Sequence, residues 1–375
     1  MPENNAYPEE LKVSNNGNLA GDQRIIVIGA SAGGFEAFKK IIQGLPEDFD
    51  ASIFIVWHMS PDIRGVLPQV LNRLNKIAAA HAYNNEEIKP NRIYVAPPDH
   101  HMLVENGKVL ITHGPKENRF RPAVDPLFRS AAYAYGNRVI GVILSGALDD
   151  GTAGLWTVKH YGGVAIVQDP MDAEVASMPE NAMRQVKIDY CVGVSELPQL
   201  LVRLSKEPLT ENAVVMNDEQ TKKEIEIAAE KSAMKNGDLQ FKELTPFTCP
   251  ECHGVLSRLH NDNIVRYRCH TGHAYSTDAL MASTEKIEDS LYSAIRGMDE
   301  SIILLNHLGD HYSEANQPKL AALYFKKAKE AHERSQPIRK AALAHEHLNK
   351  DALRNEAEND DLNPFLKEGE KKHAE

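Results

Sequence analysis

A chain of 375 residues that is 42% hydrophobic is too long for one ordinary domain and apolar enough to bury a sizeable core. Its net charge of -11 argues against general nucleic-acid or anionic-membrane binding, because the phosphate-neutralising excess of lysine and arginine is missing. No apolar run reaches the length of a membrane span, and the polar start lacks the apolar centre of a signal peptide, so a cytoplasmic protein is expected.

Residues 1–22, rich in Asn, Glu and Gly, read as a disordered leader. From Arg24 short apolar runs alternate with amphipathic stretches. Strands are expected at Arg24–Ile28, Ser52–Trp57, Arg92–Ala96, Val139–Ser145 and Gly163–Val167. Helices are expected at Phe35–Ile42, Val66–Leu74, Pro126–Tyr135, Ala153–Tyr161 and Leu197–Leu204. Runs such as Ile53-Phe54-Ile55-Val56-Trp57 are apolar on both faces, as a central parallel strand covered by helices requires. The fold class over residues 23–205 is therefore α/β, a doubly wound, mostly parallel sheet. Met102–Thr112 adds a hairpin turned by Asn106-Gly107.

Residues 206–245 shift to charged composition around one helix, Glu219–Met234, and read as a linker. A cysteine-bearing segment follows over 246–276, and then a helical hairpin over 277–350. Ile287, Leu291, Ala294, Met298, Ile302, Leu305 and Leu308 form its first apolar stripe. Leu320, Tyr324, Ala328, Ala331, Ile338, Ala341 and Leu348 form the second, with Asp310–Pro318 as a polar loop between. Such stripes suit self-association, partner binding or closure onto the cysteine segment. Residues 351–375 are charged and read as a disordered tail.

Gly29-Ala30-Ser31-Ala32-Gly33 directly follows the first strand. A buried strand that ends in Gly-x-Ser-x-Gly and turns at once into a helix lifts a serine hydroxyl onto a sharp corner, with small neighbours that let a substrate approach. An ordinary strand-to-helix turn also uses glycine, so partners are needed. In an open parallel sheet they lie beyond the carboxyl ends of the strands. Ser31 follows the first strand, His58 the second, and Ser145 to Gly151, which includes Asp149 and Asp150, the Val139 strand. A hydroxyl, an imidazole and a carboxylate on one rim are what nucleophilic acyl transfer needs. His58 as a polar strand end, and an aspartate merely capping the helix near Thr152, are the plainer alternatives. The order Ser31, His58, Asp150 differs from the serine, acid, histidine order of α/β-hydrolases, which disfavours that class.

These residues belong to a longer ordered set: Ile28-Gly29-Ala30-Ser31-Ala32-Gly33-Gly34, Trp57-His58-Met59-Ser60-Pro61, Tyr94-Val95-Ala96-Pro97-Pro98-Asp99-His100-His101, Arg121-Pro122-Ala123-Val124-Asp125-Pro126-Leu127-Phe128 and Leu144-Ser145-Gly146-Ala147-Leu148-Asp149-Asp150-Gly151-Thr152-Ala153-Gly154. Together they resemble the catalytic domain of the chemotaxis protein-glutamate methylesterase (CheB) family, over about Arg24 to Leu204, continued by Gln168-Asp169 and Met178-Pro179. The resemblance implies hydrolysis of glutamate γ-methyl esters, and often deamidation of glutamine, on chemoreceptors or related signalling proteins. It implies no catalytic cofactor. Carried over by position, Ser31 is the nucleophile, His58 the general base and acid, and Asp150 the orienting carboxylate, with the amides of Ala32 and Ala147 as oxyanion donors. Gly146-Ala147-Leu148 departs from the family's Gly-Met-Gly stretch, which puts the second donor in doubt. Fewer than 25 residues precede the first strand, so no amino-terminal receiver domain is expected and control by phosphorylation in cis with it.

Cys249-Pro250-Glu251-Cys252 and Arg268-Cys269-His270-Thr271-Gly272-His273 offer three thiolates and an imidazole, the donor set of a closed tetrahedral zinc site in a zinc-ribbon-like module. Redox or merely buried cysteines are the alternative. His273 is the better fourth ligand, because adjacent Cys269 and His270 would strain to chelate one ion, and a closed site is structural. Cys191, isolated on a strand, reads as core. Three functional classes follow: the serine-type methylesterase, a serine esterase or amidase of the same fold on another substrate, and a binding module without turnover.

Overall fold

A computed structural model of the chain describes residues 23–58, 65–209, 218–231, 243–261, 264–284 and 287–344. The expected leader and tail, and 210–217 and 232–242 of the expected linker, lie outside the described residues, as does Leu348. The chain divides into two compact units, residues 1–279 and 280–375.

The first unit begins with β1 (Arg24–Ala30), α1 (Gly34–Gly44), β2 (Ala51–Trp57), α2 (Leu67–Leu74) and β3 (Ala78–His81). It continues through β4 (Glu86–Glu87), β5 (Arg92–Val95), β6 (His101–Glu105), β7 (Lys108–Thr112) and α3 (Val124–Tyr135). Then come β8 (Val139–Ile143), α4 (Thr152–His160), β9 (Val164–Gln168), α5 (Ser177–Gln185), β10 (Tyr190–Val192) and α6 (Leu197–Lys206). Seven strands form one all-parallel sheet in the order β10-β9-β8-β1-β2-β5-β3.

Alternation along β1 explains the two-sided core. Ile25 and Val27 pack with Phe54, Phe128 and Leu155 on one face, and Ile26 and Ile28 with Phe38, Ile53 and Leu201 on the other. Each of these side chains is fully buried, and burial of one such chain stabilises by about 1.5–3 kcal/mol. Helices must therefore cover both faces. The chain steps from β1 outward to β2 and β5, then returns to lay β8 against the opposite edge of β1, so strand order reverses at β1/β8 and opens a crevice at their carboxyl ends.

A second sheet, β4-β7-β6, contains the expected hairpin. Asn106 (φ 50°) and Gly107 (φ 77°) adopt the paired left-handed conformation of a type I′ turn. Sequence reading missed β3, whose Ala-Ala-Ala-His carries little strand signal, and α5, which buries only Met178, Pro179, Asn181 and Ala182. Cys191 is a correction: β10 is an edge strand and the thiol side is exposed rather than core.

Beyond α6 the unit holds α7 (Glu219–Ala228), β11 (Leu244–Thr248), β12 (Val255–Asn261), β13 (Ile264–Cys269) and β14 (Ala274–Ser276). These four strands make an antiparallel sheet in sequence order. Asp218 caps α7 through the amides of Gln220 and Thr221. Although its composition reads as linker, α7 is packed: Thr112 donates to Ala228 O at 2.6 Å and Glu224 is buried. α8 (Thr277–Thr284) follows.

In the second unit, α9 (Ile287–Glu314) and α10 (Pro318–Leu343) lie against each other antiparallel. Tyr312 stacks on Tyr324, centroids 5.3 Å apart, and Arg339 pairs with Asp299. The expected polar loop is shorter than read, because Asp310–Glu314 continue α9. The stripes shift by one residue at two places: Ile295 and Ala342 are buried where Ala294 and Ala341 are exposed. No helix of the described residues is long and apolar enough to cross a membrane.

Candidate active site

Ser31 and His58 each stand one residue beyond a strand. β1 and β2 pair Ala30 with Trp57, so the next step of the register sets Ser31 beside His58, on strands about 4.8 Å apart. The His58 N–H donates to Ala30 O at 3.1 Å, extending that pairing. The corner carrying Ser31 is fastened on three sides. Its own N–H donates to Ser145 O at 3.0 Å, the Trp57 indole donates to Ser31 O at 2.9 Å, and the Ser145 hydroxyl donates to Ala32 O at 2.7 Å. Gly146 must lack a side chain: a Cβ there would lie 2.1 Å from Met178 Sδ and 2.8 Å from Ser31 Cβ. Ala32 and Ala147 are exposed, and neither amide has a hydrogen-bond partner among the described residues, which leaves both able to donate to a bound oxyanion.

His58 Nε2 and Asp150 Oδ2 are 2.7 Å apart, with both side chains almost wholly buried. The carboxylate also accepts the Val124 N–H at 2.7 Å, the Asn118 side-chain amide at 2.8 Å and the Asp125 N–H at 3.4 Å. Val124 and Asp125 are the first residues of α3, so Asp150 receives otherwise orphaned amides at the positive end of a helix. Burial works to raise the pKa of Asp150, but the hydrogen bonds and charge of His58, the Val124 amide and Asn118 outweigh it and hold the carboxyl below its ordinary value. Asp125, beside it, is pushed up to about 8 by burial and by the charge of Asp150. Like charges this close do not both ionise readily, so Asp125 holds its proton to higher pH than Asp150 does.

The capping role considered for Asp149 and Asp150 is not found. Gly151 occupies the N-cap of α4 with no side-chain cap; Asp125 Oδ1 accepts the Gly154 N–H at 2.6 Å, and Asp149 Oδ1 accepts the Ser276 hydroxyl at 2.6 Å.

With Nε2 committed to Asp150, the neutral imidazole carries its proton there and offers Nδ1 as the basic atom. Nδ1 is buried and has no hydrogen-bond partner among the described residues, so the bond to the Ser31 hydroxyl is not formed. Sequence reading missed two residues around this ring. Phe120 stacks on His58 with centroids 3.8 Å apart and planes within 8°. Asn118 links Asp150 to Asp125, donating to Asp125 Oδ2 at 2.9 Å as well. Both come from Glu117–Phe120, a type I′ turn with Asn118 (φ 51°) and Arg119 (φ 76°) at its tip and reciprocal hydrogen bonds between Glu117 and Phe120. Asn before Arg is a weak turn signal without the glycine that usually follows.

Cys249, Cys252, Cys269 and His273 come together in the β11–β14 sheet, their ligand atoms all within 4.8 Å of one another. Cys252 Sγ lies 3.6 Å from Cys269 Sγ, and His273 Nδ1 lies 3.7 Å from Cys249 Sγ and 3.6 Å from Cys269 Sγ. The edge of a tetrahedron with zinc–sulfur bonds of 2.3 Å is about 3.8 Å, close to these three separations. His270 is exposed and outside the group. Burial pushes the Cys249 thiol up to about 11.

The family model described as CheB methylesterase matches residues 26–201. A relative from Leptospira interrogans named "Putative protein-glutamate methylesterase/protein-glutamine glutaminase" is 41% identical over 185 residues, 49% of this chain and 96% of that protein. The protein-glutamate methylesterase/protein-glutamine glutaminase of Photorhabdus laumondii is 38% identical over 192 residues, 50% of this chain and 55% of its own length. The protein of the same name from Thermotoga maritima is 37% identical over 185 residues, covering 48% and 54%. The crystal structure of the Thermotoga maritima CheB methylesterase catalytic domain aligns with a TM-score of 0.47 at 36% identity, over 48% of this chain and 98% of that one.

Proposed function

The chain belongs to the CheB methylesterase family, and we propose that it is a serine-type protein-glutamate methylesterase acting on γ-methyl glutamates of chemoreceptors or related signalling proteins, with glutamine deamidation as a second use of the same acyl chemistry. The observation that carries the reading is the 2.7 Å contact between His58 and an Asp150 held ionised, in register beside Ser31.

Ser31 Oγ attacks the ester carbonyl while His58 Nδ1 takes its proton, and Asp150 holds the proton on Nε2 and stabilises the imidazolium that forms. The amides of Ala32 and Ala147 receive the oxyanion; one such donor is worth about 3–4 kcal/mol of barrier. The imidazolium gives its proton to departing methanol, and water then attacks the acyl-enzyme with His58 again as base. A glutamine substrate would release ammonia by the same steps.

Cys249, Cys252, Cys269 and His273 would hold a structural zinc ion in a zinc-ribbon module, since their donor types and spacing match a closed tetrahedral site. Such an ion contributes stability rather than reaction chemistry. The helices α9 and α10 would then serve self-association or partner selection.

Ser31→Ala should abolish methanol release from a methylated receptor helix while leaving the circular dichroism spectrum unchanged. Retained turnover would overturn the assignment, and loss of labelling by a fluorophosphonate probe would identify Ser31 independently of substrate.

A further inference from the structure

The turn Glu117–Phe120 touches both catalytic partners, and it is held in turn by the cysteine module. Asn118 N–H donates to Ala274 O at 2.8 Å, Ala274 N–H donates to Lys116 O at 3.2 Å, and Ser276 N–H donates to Asn118 Oδ1 at 2.8 Å. β14 thus runs beside the turn as a neighbouring strand and fixes which way the Asn118 amide points. The accepting oxygen is occupied by Ser276, which leaves only Nδ2 to face Asp150 and Asp125. His273, one of the four candidate metal ligands, directly precedes Ala274.

A second set of contacts locks the same two parts. Arg268, next to Cys269, donates to the Gly272 carbonyl at 2.7 Å and also reaches Glu117 at 3.1 Å and Glu224 at 3.0 Å. Arg266 clasps Glu224 through both nitrogens at 2.6 and 2.7 Å, and Arg129 of α3 reaches Glu117 at 2.8 Å. All five charged groups are buried. Displacement of the module would strip partners from ions that have no water to replace them, so the loop Cys269–His273 and the turn Glu117–Phe120 move together or not at all.

We propose that Asn118 is a positioning residue for Asp150 and His58, and that occupancy of the Cys249, Cys252, Cys269 and His273 site by zinc governs esterase activity by holding β14 against the Asn118 turn. The proposal rests on the esterase reading above. Zinc sets the path of Cys269–His273; that path sets Ala274 and Ser276; they set the Asn118 amide and, through the same turn, the Phe120 ring on His58. No step of the hydrolysis passes through the metal.

The test uses the full-length chain, loaded with zinc or stripped by a chelator under reducing conditions, with zinc content measured. Three quantities are read: methanol release, the rate of fluorophosphonate labelling, and the downfield proton resonance of the His58 Nε2–H···Asp150 bond. The stripped chain should lose or shift the resonance and label at least about tenfold more slowly, as expected for loss of an outer hydrogen-bonding support, and zinc should restore both. Zinc-loaded Asn118→Ala should show kcat about tenfold lower at unchanged KM, as expected for an interaction used in the transition state. Its pH profile should have an acid limb moved to higher pH, because an Asp150 lacking one donor is a stronger base toward His58. A chain that binds no zinc, or a stripped chain with an unaltered resonance and labelling rate, overturns the proposal. So does an Asn118→Ala enzyme with the parent kcat and acid limb. If that variant fails to fold, the stripping arm on the unmutated chain decides. The resonance needs no substrate, so the coupling stands or falls on it even if the chain cleaves no ester.

Discussion

The Phe120 ring lies face to face with the imidazole of His58, 3.8 Å between centroids. It is one side of the enclosure that leaves the His58 side chain 3% exposed, and it limits rotation of the ring away from Asp150. Phe120→Ala should lower kcat/KM about tenfold and cost about 1 kcal/mol beyond lost area, the worth of an aromatic pair. Phe120→Tyr should retain most activity. Steady-state kinetics and thermal melts of the pair of variants check this.

Asp150→Asn should lower kcat by about 10⁴-fold, the scale seen when the orienting carboxylate of a triad is replaced by an amide. The new NH2 would face donors already aimed at Asp150, namely His58 Nε2, the Val124 N–H and the Asn118 amide. The histidine then favours the wrong tautomer. Because buried donors are left unpaired, the variant should also lose about 1–3 kcal/mol of stability, measurable by urea denaturation.

Glu117 is held down to about 2: burial opposes ionisation, and Arg129 and Arg268 more than compensate. A depressed carboxyl adds stability that is complete above its ordinary 4.5 and is lost as pH falls through about 2. Glu117→Gln should remove that acid dependence, flattening melting temperature against pH between those limits. At neutral pH it should destabilise by about 3–5 kcal/mol, since two buried guanidinium groups lose a partner.

Asp125 supplies the opposite sign. Its carboxyl is raised to about 8, so the folded chain keeps a proton that the unfolded chain releases above 3.8. The associated stability is full below 3.8 and is lost as pH rises through about 8. Asp125→Asn should therefore reduce the fall in melting temperature between pH 6 and pH 9. An unchanged alkaline slope would show that the proton sits elsewhere.

Gly146→Ala tests the rim itself. The added methyl meets Met178 Sδ at 2.1 Å and Ser31 Cβ at 2.8 Å, so either Met178 or Ser31 must move. Stability should fall by about 1–3 kcal/mol, the usual cost of overpacking, and fluorophosphonate labelling of Ser31 should slow.

The parallel sheet was legible because its central strands carry long β-branched runs, and the rim residues because strand ends are easily found once those runs are seen. Ala78–His81 escaped because alanine carries little strand signal, and Ser177–Gln185 because it is short, polar on average and buries only Met178, Pro179, Asn181 and Ala182. The spacing of the cysteines singled out four residues that do meet. What no local pattern could reveal was their relation to the rim. Asn118 and Ala274 are distant in sequence, and neither belongs to a motif. Glu224 sits in a stretch whose charge suggests solvent, yet it is buried because Arg266 and Arg268 of β13 and Arg129 of α3 converge on it.

The buried ion cluster means that the homology boundary near residue 201 cuts through a structural unit. A fragment ending there would keep Ser31, His58 and Asp150 yet leave Arg129 and Glu117 on a bared surface, without Glu224 and Arg268 to answer them, and would take away the backbone that steadies Asn118. Excision of the recognisable half would thus yield a protein with the right letters and a loosened hinge, whose defects would be those of an amputated partner rather than of the chemistry.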